Sequence, residues 1–422
     1  MTARYEEGVL HMLAGLLEIN HLLAFEHLPR EVNRHAEMAG LHHVTVFLTD
    51  LRQEVLREMT GPGPDAQAGS PRHYAVEGTG AGRAFQLGMV VPHSGEGPDR
   101  HRWWIPLLDG TERLGVMEVS GADEEPSTLG GALLLASLVS LLLVSRSASS
   151  DAYPQLRRTQ PMAIAAEMQW SLMPPQTYAD DFVVISAVLE PAYRIGGDAF
   201  DYAIAGEVVH LAVFDSMGHD ASAGVGAILA VAAYRQHRRR DRDLVETTEA
   251  MERFLIEQLG RERFVTGVLA DLNTRTGELS WVNRGHPAPI IIRGSRWSTH
   301  PECPPAHPMG TDLGVAATLC RVQLEPGDRI VLYTDGVTEA RNEAGEMFGI
   351  ERFTDFLIRH HTDRLPVPET LRRLVRGLMR HHGEDLADDT TVLLAEWVGP
   401  GSADPRRPED LVGLPHWRTA KP

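Results

Sequence analysis

The sequence predicts an α+β chain of more than one domain, with antiparallel sheets flanked by helices. Three observations carry this. At 422 residues the chain exceeds one ordinary core, since domains run to roughly 150 residues each. Strand-like runs sit beside one another across tight turns such as Asp109-Gly110 and Thr276-Gly277, which favours antiparallel pairing. A polar, small-residue stretch at residues 145–154 separates two patterned regions. The apolar fraction of 43% is enough for a sizeable core and argues against wholesale disorder.

The first region opens with apolar residues at helical spacing, Leu10, Leu13, Leu16 and Leu17. Residues 43–48, His-Val-Thr-Val-Phe-Leu, predict a strand, and the Gly/Pro-rich residues 61–71 a loop. Gly78-Thr79-Gly80-Ala81-Gly82-Arg83-Ala84-Phe85 begins a short helix. Residues 103–107 and 114–119 predict a strand pair. Residues 129–144 form the longest apolar run, which includes Gly130, Gly131, Ser137 and Ser140. At 16 residues they fall short of the roughly 20 a bilayer needs, so a buried helix is expected and no membrane span. This order of helix, mixed strands and helix, with the Gly78–Phe85 segment, Pro106 and Leu114-Gly115-Val116, resembles a GAF domain, a signal-sensing module. The resemblance implies a small-molecule or protein signal there. With no cysteine in this region, a thioether-linked bilin is ruled out. His21, His27, His35, His42 and His43 are read as surface or core residues rather than haem ligands.

A connecting helix follows at residues 162–172. Ile164, Met168 and Leu172 recur every four residues, and Pro174-Pro175 stops the helix. One reading packs it on its own domain; the other pairs it across a homodimer or lets it relay a signal. Strands are then expected at residues 183–188, 208–214, 264–271, 279–283, 289–293, 329–333 and 391–397. Helices are expected at 221–238, 245–259, 351–361 and 368–381. The expected organisation is a sensor-like domain over 1–150, the connecting segment over 151–176, a second domain over 177–398 and a disordered tail over 399–422.

The net charge of −18 opposes nucleic-acid binding, and Arg238-Arg239-Arg240 reads as the end of a solvated helix. Lys421 is the one lysine, so no phosphate-cradling lysine loop exists. Two cysteines, Cys303 and Cys320, exclude a disulfide framework and read as structural thiols in a reducing compartment. Met1 is followed by Thr2, Ala3, Arg4, Tyr5, Glu6 and Glu7, without a secretion leader, so a cytoplasmic location is expected.

Four acidic positions stand at strand ends or turns: Gly196-Gly197-Asp198, with Asp201 beyond; Asp215-Ser216-Met217-Gly218-His219; Tyr333-Thr334-Asp335-Gly336; and Asp388-Asp389-Thr390-Thr391. Each alone is an ordinary turn or solvated carboxylate. Together they supply the oxygen ligands that hard cations take from several chain segments. The ordered set, with Gln169-Trp170-Ser171-Leu172-Met173-Pro174 and Trp281-Val282-Asn283-Arg284-Gly285-His286-Pro287, resembles the PPM-type (protein phosphatase 2C) serine/threonine phosphatases of the SpoIIE-like bacterial branch, over residues 165–397.

That resemblance implies an αββα sandwich and two Mn2+ or Mg2+ ions that activate water for in-line attack on phosphorus. Asp198, Asp215, Asp335 and Asp388 would ligate metal, with the Ser216 carbonyl beside the bridging Asp215 and Asp389 as the neighbour confusable with Asp388. His219 is a weaker candidate for leaving-group protonation. Asp220 departs from the usual Gly after His. The implied substrate is a phosphoprotein, an anti-sigma-factor antagonist of a partner-switching system. Two alternatives compete: a catalytically silent phosphatase-like scaffold, and a hydrolase of small phosphates or nucleotides.

Overall fold

The computed structural model describes residues 2–61, 71–94, 101–121, 126–194, 196–218, 220–240, 242–294, 297–299, 301–362, 365–383 and 388–400. The expected loop at 61–71 lies largely outside these residues, and the expected tail does so from residue 401. The chain divides into two compact units that meet between Gln160 and Pro161.

The first unit runs α1 (Thr2–Ile19), α2 (Leu28–Ala36), β1 (Leu41–Thr49), β2 (Val55–Glu58), β3 (His73–Ala75), α3 (Gly80–Leu87), β4 (Val91–Ser94), β5 (His101–Asp109), β6 (Glu112–Gly121), α4 (Pro126–Ser147) and α5 (Ala152–Arg157). Its antiparallel sheet has the order β3-β2-β1-β6-β5-β4. The alternation of strand side chains divides the two faces. Val46, Leu48, Ile105, Met117 and Val119 pack against Met12, Leu16, Leu28, Val32, Leu135 and Val139 of α1, α2 and α4. Phe47, Trp104 and Val116 face the other way, under Ala81, Ala84 and Phe85 of α3. Thr79 caps α3 by accepting from the Gly82 amide at 3.0 Å. The apolar pattern of α1 is only half buried: Met12 and Leu16 face the sheet, while Leu10 and Leu17 stand exposed. α4 is long and apolar enough to cross a membrane by length and composition, yet 56% of its most apolar window is buried inside this unit. His35 is buried against the Glu31 carbonyl at 2.8 Å, and His21, His27, His42 and His43 are exposed.

The second unit runs α6 (Ile164–Leu172), β7 (Thr177–Ala179), β8 (Val183–Glu190), β9 (Asp198–Ala205), β10 (Val208–Ser216), α7 (Ala221–Arg238), α8 (Leu244–Leu259), β11 (Val265–Asn273), β12 (Glu278–Arg284), β13 (Ile290–Arg293), β14 (Trp297–Thr299), β15 (Cys320–Gln323), β16 (Arg329–Tyr333), α9 (Gly336–Glu339), α10 (Ile350–Thr362), α11 (Val367–His382) and β17 (Thr390–Trp397). One sheet has the order β15-β12-β11-β10-β9 and the other β14-β13-β16-β17-β8-β7. Ile185, Phe200, Leu211, Val213, Val268, Trp281, Ile330, Leu332 and Leu393 fill the space between them. Ala212, Phe214, Leu269 and Val282 point outward, into the core beneath α7 and α8. α11 covers the second sheet along β8. The result is an αββα sandwich.

One expectation is corrected, and one open choice is narrowed. Cys303 and Cys320 are not free thiols: a disulfide joins them, with Cα atoms 5.9 Å apart. Cys303 lies within the irregular connection between β14 and β15 and Cys320 opens β15, 17 positions on, so spacing alone did not reveal the pairing. In α6 the expected stripe is largely turned outward. Ile164 is 83% exposed and Met168 44%, while Ala165, Ala166 and Gln169 form the buried side.

Candidate metal centre

The alternation that builds the sandwich also aims its carboxylates. Along β10, Val209, Leu211 and Val213 face the inter-sheet core, so Asp215 continues that face at the strand end. β9 runs antiparallel, and Phe200 and Tyr202 share the inner face with Asp198, the register partner of Asp215. Asp201 falls on the opposite face, where Arg235 and Arg238 of α7 hold it in ion pairs of 2.7 Å each. It takes no part in the cluster.

The second sheet delivers its acids to the same end. Thr334 follows β16, donates from Oγ1 to Asp198 Oδ2 at 2.6 Å and accepts from the Thr391 amide at 2.9 Å. This fully buried hydroxyl joins both sheets and fixes the orientation of Asp198. Asp335 comes next, at the start of α9. Asp389 is buried and accepts from the Gly197 amide, while the exposed Asp388 accepts from the Asp389 amide at 2.9 Å. Two glycines permit this crowding: a Cβ on Gly197 would lie 2.4 Å from the Ser216 carbonyl oxygen, and one on Gly336 1.9 Å from that of Asp389.

Burial, reinforced by Asp215 and Asp389, raises the Asp198 carboxyl well above the usual carboxylate range. Burial, with repulsion from Asp335, Asp388 and Asp389, pushes Asp215 up to about 7. Asp389 also rises to about 7, mainly through burial and further through Asp388, and Asp335 is raised by burial and by Asp388. Among the described residues, the charged groups that shift Asp215 are carboxylates. Their full ionisation is therefore opposed unless a cation joins them.

This donor set suits a hard divalent cation. It consists of oxygens, and the glycine-lined gap brings the Ser216 carbonyl close. Among the described residues no three of these side chains crowd tightly enough to hold an ion unaided, so water and carbonyl oxygens would complete any shell. His219 lies outside the described residues. Asp220 caps α7, accepting from the Ser222 and Ala223 amides, and these bonds with Arg263 hold its carboxyl down at about 2.

Two supporting residues acquire roles that their motifs did not disclose. His286 is buried; its Nε2 lies 3.0 Å from the Tyr333 carbonyl and its Nδ1 2.8 Å from Thr266 Oγ1. Burial lowers its pKa to about 4, so neutral imidazole ties the strand entering Asp335 to the strand beside Asp215. Gln169 of α6 is 1% exposed and donates to the carbonyls of Gly196 at 2.6 Å and Asp198 at 2.9 Å. Trp170 adds a bond to the Ala192 carbonyl at 2.8 Å. The signal for Gln169 was a polar residue on the inward side of a helix; the apolar stripe beside it masked that. Gln169→Leu leaves two buried carbonyls unpaired next to Asp198. Metal-supported hydrolysis is expected to fall roughly ten- to a hundredfold, as for other partners that orient ligands. Rates measured across a Mn2+ titration check this; an unchanged curve contradicts it.

Two facing sheets between helix layers thus carry clustered carboxylates at one end. Residues 205–398, most of the second unit, match the family model for stage II sporulation protein E (SpoIIE). The chain is 23% identical over 240 residues to protein IcfG of Synechocystis sp., covering 50% of this chain and 37% of that protein. It is 23% identical over 237 residues to phosphoserine phosphatase RsbU of Bacillus subtilis, covering 55% of this chain and 68% of RsbU. The crystal structure of the RsbU and RsbW domains of Rv1364c from Mycobacterium tuberculosis aligns at 25% identity and TM-score 0.46, over 52% of this chain and 62% of that one. The chain thus spans little more than a third of IcfG.

Proposed function

We propose that the chain is a divalent-metal-dependent protein serine/threonine phosphatase, acting on a phosphorylated anti-sigma-factor antagonist and tuned by its GAF-like first unit. The observation that supports this most is the convergence of Asp198, Asp215, Asp335, Asp388 and Asp389 from four chain segments, with no cation among the described residues shifting Asp215. A phosphoserine dianion approaching such a cleft is repelled unless cations intervene. Asp198, Asp215, Asp335, Asp388 and the Ser216 carbonyl would hold them, and Asp389 shapes the Gly197 loop. Bound Mn2+ or Mg2+ would supply water activation and neutralise phosphoryl charge. The protein's own part is orientation: Thr334 fixes Asp198, His286 ties β16 to β11, and Gln169 clamps residues 196–198. The similarity to phosphoserine phosphatase RsbU supports a phosphoserine substrate. A cytoplasmic site of action is part of the same proposal.

The test is phosphate release by the full chain with Mn2+ from phosphoserine proteins, set beside ATP, GTP and simple phosphate esters. Release from a phosphoprotein that stops with chelator is expected. Preferential hydrolysis of nucleotides, or binding without turnover, overturns the proposal.

A further inference from the structure

The α3-side face of the first sheet changes character along its length. Phe47, Trp104 and Val116 form its apolar part. Further along the same strands the face turns polar: Thr45 pairs with Glu118, and Arg102 pairs with Ser120. Here β1 is bulged between His42 and Thr45, and His43 takes a φ of +50°. Bulges and positive φ at residues other than glycine gather where a side chain must be re-aimed beside a site. His43, Thr45, Arg72, Arg102, Glu118 and Ser120 line a cavity of about 310 Å³, within the range of small-molecule sites.

The cavity is built from both charge signs. Glu118 is 5% exposed and accepts from Arg72 Nη1 at 2.9 Å; Arg102 Nη1 stands 3.8 Å from its other oxygen, beyond hydrogen-bond reach. Arg72 also donates to Glu58 and Thr45 and lies over the Phe47 ring, 5.1 Å from its centroid. Ser120 is 1% exposed, and its Oγ has no hydrogen-bond partner among the described residues. A sealed hydroxyl without a partner, on the wall of a cavity, points to a ligand atom that completes it.

We propose that this cavity binds a small zwitterion with the size and charge pattern of a free amino acid. Arg102 and Ser120 Oγ would take its carboxylate, and the open oxygen of Glu118 its ammonium group. A simple anion would meet the Glu118 carboxylate, and a simple cation would meet two guanidinium groups; a ligand carrying both charges satisfies each. The site lies wholly within the first unit and does not depend on the proposed activity.

The test is calorimetric titration of the full-length protein with each of the common L-amino acids, each beside its 2-hydroxy acid and its decarboxylated amine. At least one amino acid is expected to bind, and both of its analogues to bind at least about tenfold more weakly. Arg102→Gln and Ser120→Ala should each weaken binding by a similar factor; Ser120→Ala removes one hydroxyl and leaves the packing intact. Absence of heat with every amino acid, equal affinity for a hydroxy acid or amine, or unchanged affinity in both variants overturns the proposal.

Discussion

Asp215→Asn is expected to lower metal-dependent phosphate release more than about a hundredfold, because even the outer partners of a metal ligand cost roughly ten- to a hundredfold. The same change is expected to raise the melting temperature of the metal-free protein. Asp215 sits in the field of Asp335, Asp388 and Asp389 with burial opposing its charge, so a neutral, isosteric amide relieves repulsion. For a unit of this size each kcal/mol gained shifts Tm by about 2–4 °C. The opposite signs separate a lost ligand from a damaged fold, which would lower both quantities. Wild-type turnover in the variant, or a lowered Tm without metal, contradicts the account.

The second large effect is a stability that runs against the usual pH trend. Asp215 and Asp389 rise from 3.8 to about 7, and Asp198 and Asp335 are raised as well. Between pH 3.8 and about 7 these carboxyls hold more protons in the folded protein than in the unfolded chain, whereas His286, lowered from 6.5 to about 4, holds fewer. The raised carboxyls outnumber the imidazole, so stability falls as pH rises through that window. Without metal, Tm is expected to drop from pH 5 to pH 8; saturating Mn2+ should flatten or reverse the slope, because the cation replaces the protons. Asp215→Asn should show a shallower slope without metal. Thermal unfolding across this range, with chelator and with Mn2+, checks all three; a Tm rising with pH in chelator contradicts the assignment.

Much of this arrangement was legible because sheet periodicity and acid placement share one rule. The alternation that buries Leu211 and Val213 also aims Asp215, and the tight turn at Asp109-Gly110 joins β5 to β6. β9 was harder to see: Asp198-Ala-Phe-Asp-Tyr-Ala-Ile-Ala is poor in β-branched residues, and its strand state comes from pairing with β10. Burial of Asp389 and exposure of Asp388 were not legible, because both precede β17, whose residues are buried throughout and leave no alternation to extend. The α6 stripe misled because Ile164 and Met168 face outward while Gln169, a polar residue, holds the buried position. The Cys303–Cys320 bond depends on a connection with no periodicity to read.

The most direct measurement is Mn2+ titration by calorimetry at pH 6 in two buffers of different ionisation enthalpy, for wild type and Asp215→Asn. The account predicts binding by the wild type with release of about one proton or more, and strongly weakened binding with less release in the variant. Absence of binding, or equal binding and proton release in both proteins, would contradict a metal centre built on these carboxylates.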